Sequence, residues 1–222
     1  MKRLIFLFIS LFYLSSCIDD GKDTGVWPTP YMITNYVLTE EIVCSSSTIY
    51  NNSMSLNYYG EDLLASLRAT YDRFSYFNKL YNDDSFNGST YPGAFSALAY
   101  PFDKITLSCD SDYNAKHPAG TPLDDIVKLE FESYWDFIQN DYQYPEWYTE
   151  KECGYGEVPL KYYLSEINSD NTKLAARKAH RLVFTELPTV LGGYNFTLEL
   201  TTNGKTLTTT FTHVFDDQKK IY

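Results

Sequence analysis

The sequence is poor in positive charge and in histidine, and both shortages exclude classes of function. Its 222 residues include 18 lysines and arginines against 29 aspartates and glutamates, which gives a formal net charge of −11. No stretch is rich in basic residues, so a nucleic acid partner is not expected, because such a chain repels phosphate. None of the 3 histidines stands four residues from another, which argues against a helical pair of metal ligands.

Motifs of catalysis are missing as well. The chain has no Gly-x-Ser-x-Gly nucleophile motif, no glycine-rich phosphate loop and no Cys-x-x-Cys pair. Carboxylate pairs are abundant, but an acidic chain of this size contains them by chance, and a solvated acidic face explains them. We therefore expect no cofactor, no metal and no catalytic residue. A glycan hydrolase stays a distant alternative.

The acidic stretch Asp110–Asn114, DSDYN, begins like a calcium loop of the EF-hand type. That motif requires glycine at its sixth position and glutamate at its twelfth, where this chain has Ala115 and Thr121. A local turn at the end of a strand, with side chains bound to nearby backbone groups, explains the stretch better.

The one long apolar run lies near Met1, over residues 4–14. Two basic residues precede it, and it is shorter than the roughly 20 apolar residues of a membrane-spanning helix, which is the plan of a signal peptide. Residues 14–17, LSSC, resemble the lipobox of bacterial lipoproteins, in which the chain is cut before the cysteine and the cysteine is acylated. We predict a signal peptide over residues 1–16 and a lipid anchor on Cys17, with an ordinary secretory signal as the alternative.

Acidic residues follow this cysteine closely. Asp19, Asp20 and Asp23 resemble the surface-export signal of Bacteroidota lipoproteins. They predict a protein that is held in the outer membrane by lipid and exposed at the cell surface. The alternative is a polar linker on a protein that faces the periplasm. Residues 17–30, with four glycines and prolines and no apolar period, are expected to form a flexible acidic tether.

Three cysteines remain once Cys17 is assigned to the lipid. An exported protein can form one disulfide among Cys44, Cys109 and Cys153, which leaves one thiol over. The spacing does not distinguish the three pairings.

Alternating patterns and turn residues predict a mainly β domain over residues 31–222. Two alternating segments flank Asn203-Gly204, the strongest short-range signal of a hairpin, because both residues tolerate positive φ. The whole pattern predicts an immunoglobulin-like antiparallel β-sandwich with a partly helical insertion at about residues 123–170. Other strands are predicted at 31–44, 63–77, 103–112 and 180–187, and helices at 123–138 and 160–167.

Two blocks resemble a known family when taken together. They are Asp103–Leu123, DKITLSCDSDYNAKHPAGTPL, and Gly192–Thr210, GGYNFTLELTTNGKTLTTT. With the lipoprotein leader, they resemble an uncharacterised domain family of Bacteroidota surface lipoproteins. The resemblance implies an immunoglobulin-like sandwich, and it implies no activity because none is established for that family. Residues 130–180 are longer here than in the family pattern.

Aromatic residues are the compositional excess, with 21 tyrosines, 14 phenylalanines and 3 tryptophans. Residues 134–148, YWDFIQNDYQYPEWY, interleave aromatic rings with acids and amides, as surfaces that bind glycans or proteins do. The alternative is that Trp135 only anchors an inserted helix. We predict a binding or adhesion module with a glycan or protein ligand, and a structural or fimbria-associated surface protein is the alternative. The predicted contact residues are Trp147, Tyr142, Tyr144 and Tyr148.

Cys17→Ala should abolish lipidation, because the thiol is the acceptor of the acyl group. Metabolic labelling with a fatty-acid probe should mark the wild type and leave the variant unmarked. Cys44→Ala, which keeps Cys17, is the matched control and should be labelled like the wild type. Equal labelling of wild type and Cys17→Ala would contradict the lipobox prediction.

Overall fold

Two packed β-sheets form the framework of the described chain. The computed structural model describes residues 27–90, 94–146, 148, 156–217 and 220–222. This part is mainly β with few helices, so the predicted β-sandwich is confirmed. The elements are β1 (Trp27–Thr29), β2 (Asn35–Ser46), β3 (Ser53–Leu64), α1 (Tyr71–Leu80), β4 (Gly88–Thr90), β5 (Ser96–Leu98), β6 (Phe102–Cys109), β7 (Val127–Ser133), α2 (Trp135–Gln139), β8 (Val158–Tyr163), a 3-10 helix (Leu164–Glu166), β9 (His180–Phe184), β10 (Gly193–Thr202) and β11 (Lys205–Val214).

The larger sheet has the strand order β5-β2-β3-β9-β7-β8, and the smaller has the order β11-β10-β6. Neighbouring strands are antiparallel except for β2 and β5, which are parallel. A separate ribbon joins β1 and β4. Because side chains alternate between the two faces of a strand, the inward residues of both sheets meet in one hydrophobic core.

Aromatic rings fill the centre of that core. Tyr113 stacks on Phe184 with 5.6 Å between ring centroids, and Phe215 lies edge-on to both rings. The Tyr113 hydroxyl donates a hydrogen bond of 2.7 Å to the carbonyl oxygen of Glu186. The ring can therefore be fully buried without leaving its polar end unpaired.

The predicted hairpin is confirmed. Strands β10 and β11 pair from Gly193↔Val214 to Thr202↔Lys205 without interruption. The connecting residues Asn203 and Gly204 have φ angles of 48° and 70°. These left-handed values belong to a type I′ turn, whose twist matches that of the flanking strands.

A second hydrophobic cluster lies beside the sandwich and is built on α1. Phe74 and Phe77 are three residues apart in the helix, and both rings contact the ring of Tyr36 from β2, at centroid distances of 5.5 and 5.3 Å. Helix α2 adds Ile138 to the same cluster. The two helices are thus joined to each other and to the start of β2 by aromatic packing.

The predicted strand at 63–77 and the predicted helix at 160–167 are wrong over most of their length. β3 ends at Leu64, and α1 then occupies the region where the spacing of Phe74 and Phe77 finds an aromatic partner. Residues 158–163 form the edge strand β8, and only a 3-10 turn follows it. Tertiary partners decided both outcomes, since the local pattern fits a helix or a strand.

The predicted helix at 123–138 is wrong over most of its length, because residues 127–133 form the strand β7 and only the residues from Trp135 onwards are helical. Every second residue of β7 is buried, and the strand lies between β9 and β8, where both of its edges are paired. Asp124 and Asp125 do not begin a helix. The Asp124 carboxylate accepts a hydrogen bond from the amide of Leu107 at 2.9 Å, and Asp125 pairs with His117.

Gly204→Ala should reduce the free energy of unfolding by about 1–2 kcal/mol, because a Cβ is strained at positive φ. Nothing lies within 4 Å of a Cβ at this position, so the loss would come from backbone strain and not from a clash. Urea denaturation measures it. Gly193→Ala is the matched control, since that glycine has an extended backbone and an added Cβ would approach only Val214. This substitution should leave the free energy of unfolding unchanged. Equal losses in both variants would contradict the turn assignment.

Candidate functional site

The predicted contact segment, residues 134–148, follows β7 and begins with α2. Ile138 points into the second cluster with 4% of its surface exposed. Trp135 lies edge-on to Tyr81 with 6.3 Å between ring centroids, yet it is only partly buried. One side of Trp135 therefore anchors the helix as expected, and the remainder lines an open groove.

A buried carboxylate holds the loop that follows α2. Asp83 is fully buried and accepts hydrogen bonds from the backbone amides of Met32 and Ile33, at 2.8 and 2.7 Å. The Tyr142 hydroxyl donates a third bond of 3.0 Å. Burial raises the pKa of Asp83 to about 6, and the three donors oppose the rise. The carboxylate is thus ionised at neutral pH and accepts all three bonds.

Tyr142, one of the predicted contact residues, makes its contacts within the protein. Its ring lies 5.1 Å from that of Phe86, and its hydroxyl is bound to Asp83. The left-handed backbone of Tyr142, with φ of 57°, turns the chain at this point. Tyr142 therefore positions the loop that carries the other predicted contact residues.

Tyr144 and Tyr148 are brought together by the fold. Their ring centroids are 5.1 Å apart, with 30° between the ring planes, and 38% of Tyr144 is exposed. The Tyr144 hydroxyl accepts a hydrogen bond of 2.9 Å from the amide of Gly156, and its ring lies 5.0 Å from that of Phe137. The remaining predicted site residues, Trp147, Cys17, Asp19, Asp20 and Asp23, lie outside the described residues.

A groove of about 390 Å³ opens beside α2 and was not predicted from the sequence. Trp135 and Asp136 line it from α2, Tyr162 from β8, and Lys173 from the segment before β9. The Lys173 ammonium lies 4.9 Å from the ring centroid of Trp135 and donates a 3.0 Å hydrogen bond to Asp170. These residues are distant in sequence, and the only local signal was a tryptophan beside an acid.

The stretch 110–114 forms the local turn that the sequence predicts. The Asp112 carboxylate accepts a hydrogen bond from the amide of Ala119 at 2.8 Å. The Asn114 side chain accepts bonds from the amides of Lys116 and His117, at 2.9 and 3.0 Å. The side-chain oxygens of Asp112 and Asn114 thus accept hydrogen bonds from backbone amides. In the ranges that the structure describes, no group of three or more His, Cys, Asp or Glu residues is arranged to hold a metal ion.

Two histidines are core residues with hydrogen-bonded rings. Nε2 of His180 donates to the carbonyl oxygen of Ala176 at 2.9 Å, and the Tyr58 hydroxyl donates to Nδ1 at 2.7 Å. Burial lowers the pKa of His180 to about 4, so its ring is neutral near pH 7. Nε2 of His213 donates to the carbonyl oxygen of Asn51 at 2.6 Å. Both rings pack in the core, and each donates a hydrogen bond to a backbone carbonyl.

The two described cysteines, Cys44 and Cys109, are free and buried. Burial raises the pKa of the Cys44 thiol to about 12, which suppresses its thiolate and therefore its reactivity. A Cys44–Cys109 disulfide is thus absent, and Cys153 lies outside the described residues.

Comparisons with protein-family models, with curated proteins and with solved structures find no match to this chain. The family resemblance of the two sequence blocks therefore stays a prediction. Among the residues that the structure places, no helix is long and apolar enough to span a membrane.

Asp83→Asn should lower the free energy of unfolding by about 1–3 kcal/mol near neutral pH, because the new amide group turns an N–H towards a backbone donor. The loss should grow on acidification. The folded-state pKa of about 6 lies above the ordinary value of 3.8, so the wild type gains stability as the pH falls through that window. The Asp83→Asn variant gains no such stability, because asparagine does not titrate.

Urea denaturation of both proteins near neutral pH and at about pH 4.5 tests this linkage. Asp103→Asn, at an exposed aspartate, is the matched control and should change little at either pH. A loss in Asp83→Asn that stays constant or shrinks on acidification would contradict the role of the buried carboxylate.

Proposed function

We propose that the protein is a surface lipoprotein of the outer membrane that acts as a binding or adhesion module for a glycan or a protein. The lipobox-like residues before Cys17 support a lipid anchor in the membrane. Asp19, Asp20 and Asp23 support display at the cell surface. The observation that carries the binding role is the partly exposed pair Tyr144 and Tyr148, on a loop that a buried carboxylate holds in place.

A fixed aromatic pair is suited to binding because little conformational freedom is lost when a ligand arrives. A tyrosine brings a large contact area with few rotatable bonds. Here the Tyr144 ring is already packed against Phe137, and its hydroxyl is bound to Gly156. These side chains therefore lose their conformational entropy when the protein folds, and little more is lost when a ligand binds. Trp147 is proposed to extend this surface.

The fold supports the same proposal. An immunoglobulin-like sandwich is a rigid scaffold whose connecting loops are free to carry contact residues. Strand β1 begins at Trp27 and is paired with β4, so the structure limits the predicted flexible tether to residues before Trp27. Such a tether would let the domain turn above the membrane while two or more acyl chains hold it there. The proposed partners are the membrane, through lipid on Cys17, and one glycan or protein ligand at the loop.

Trp147→Ala and Tyr144→Ala should each weaken binding by about tenfold or more, since aromatic residues dominate contact energies. The measurement is binding of the full-length mature lipoprotein, in detergent, to an array of glycans and immobilised surface proteins. The melting temperature of the Trp147 variant should change little.

Tyr59→Ala is the control, because this tyrosine is 51% exposed and lies on β3, outside the loop. It should bind like the wild type. Loss of stability with unchanged binding in the Trp147 variant would make that residue part of the core and remove the loop from the proposal.

A further inference from the structure

The Asp136 carboxylate stands out in the groove beside α2 because it is partly buried there without a compensating partner among the described residues. Among the described residues, no hydrogen bond or ion pair reaches it, and burial alone raises its pKa. The Tyr162 hydroxyl, which also lines the groove, likewise makes no hydrogen bond within the described ranges. Half-buried polar groups of this kind are stabilised when a ligand supplies the missing hydrogen bonds.

The opposite wall of the groove is held in shape, because its asparagine side chains are bound to nearby backbone groups. The side-chain Oδ1 of Asn168 accepts hydrogen bonds from the backbone amides of Asp170 and Asn171, at 2.9 and 3.2 Å. The amide groups of both asparagines donate to the carbonyl oxygen of Glu166. The groove is therefore shaped before a ligand arrives, and Asp136 and Tyr162 are left to make new bonds.

Charge limits the chemistry of a ligand. Among the described residues that line the groove, Asp136 and Asp170 are acidic and Lys173 is basic. Burial, and after it the nearby Asp136 and Glu166 carboxylates, raise the pKa of Tyr162. An anionic ligand would be repelled by this excess of carboxylates. A cationic ligand would compete with Lys173, whose ammonium already occupies the position over the Trp135 ring. A neutral ligand with several hydroxyl groups avoids both costs.

We propose that this groove binds a neutral saccharide unit, with the Asp136 carboxylate accepting hydrogen bonds from sugar hydroxyls and Tyr162 bonding a further one. The ring of Tyr162 supplies apolar surface for the C–H groups of the sugar. A volume of about 390 Å³ lies within the usual range of small-ligand sites.

This inference rests on the proposed binding role and extends it to a second site and a ligand class. Helix α2 connects the two places, since Trp135 and Asp136 face the groove while Phe137 packs against Tyr144 of the loop. A chain of sugars could therefore contact both, but each place can be tested by its own variants.

The experiment measures binding of the full-length mature lipoprotein, in detergent, to immobilised oligomers of glucose, galactose and mannose and to their sulfated forms. The double variant Asp136→Asn with Tyr162→Phe keeps the size of both side chains. It should bind the neutral oligomer that the wild type prefers at least about tenfold more weakly. Asp103→Asn with Tyr59→Phe makes the same chemical changes at exposed positions outside the groove and should bind like the wild type. Sulfated forms should bind more weakly than neutral ones.

Four results would overturn the inference. They are no binding of neutral oligomers by the wild type, a preference for sulfated forms, equal losses in the two double variants, and full binding by the groove variant. If Trp147→Ala abolishes binding while the groove variant keeps it, the loop alone is the site and the proposed function stands. If the lipoprotein binds immobilised proteins and no glycan, the proposed function stands with a protein as its ligand. If neither glycans nor proteins bind, both proposals fail.

Discussion

The buried Asp83 carboxylate is the interaction on which the arrangement beside the sandwich depends. It joins the chain before β2, the turn after α1 and the loop after α2, which are far apart in sequence. A charge without water must be satisfied by hydrogen bonds, so all three segments are held at once or not at all. The second hydrophobic cluster packs around these segments, and the aromatic loop takes its position from them.

The tyrosine excess has a physical role of the same kind. Some buried tyrosines fill the core with their rings while their hydroxyls donate hydrogen bonds to backbone carbonyls, as Tyr81 does to Ala99 and Tyr194 to Val190, both at 2.7 Å. Each such residue adds apolar area and fixes one loop to a neighbouring segment.

Helix α2 links the fold to the proposed functions. Five residues place Ile138 in the second cluster, Phe137 against the aromatic loop, and Trp135 with Asp136 in the groove. Because one short helix supports both candidate surfaces, their relative position is set by the packing of Ile138 and Trp135. A ligand that contacts the loop and the groove together would gain from both without ordering a linker.

The mainly β class, the hairpin at Asn203-Gly204 and the turn at 110–114 could be predicted from the sequence, because alternation and turn chemistry are local properties. The sequence also shows that aromatic residues are concentrated in residues 134–148. The pairing of residues 127–133 with strands on both sides appears only in the tertiary structure, and so does the hydrogen bond from Tyr142 to Asp83. The groove likewise appears only in the tertiary structure. The physical reason is that strand pairing, burial of a charge and a shared cavity depend on partners distant along the chain, about which local patterns carry no information.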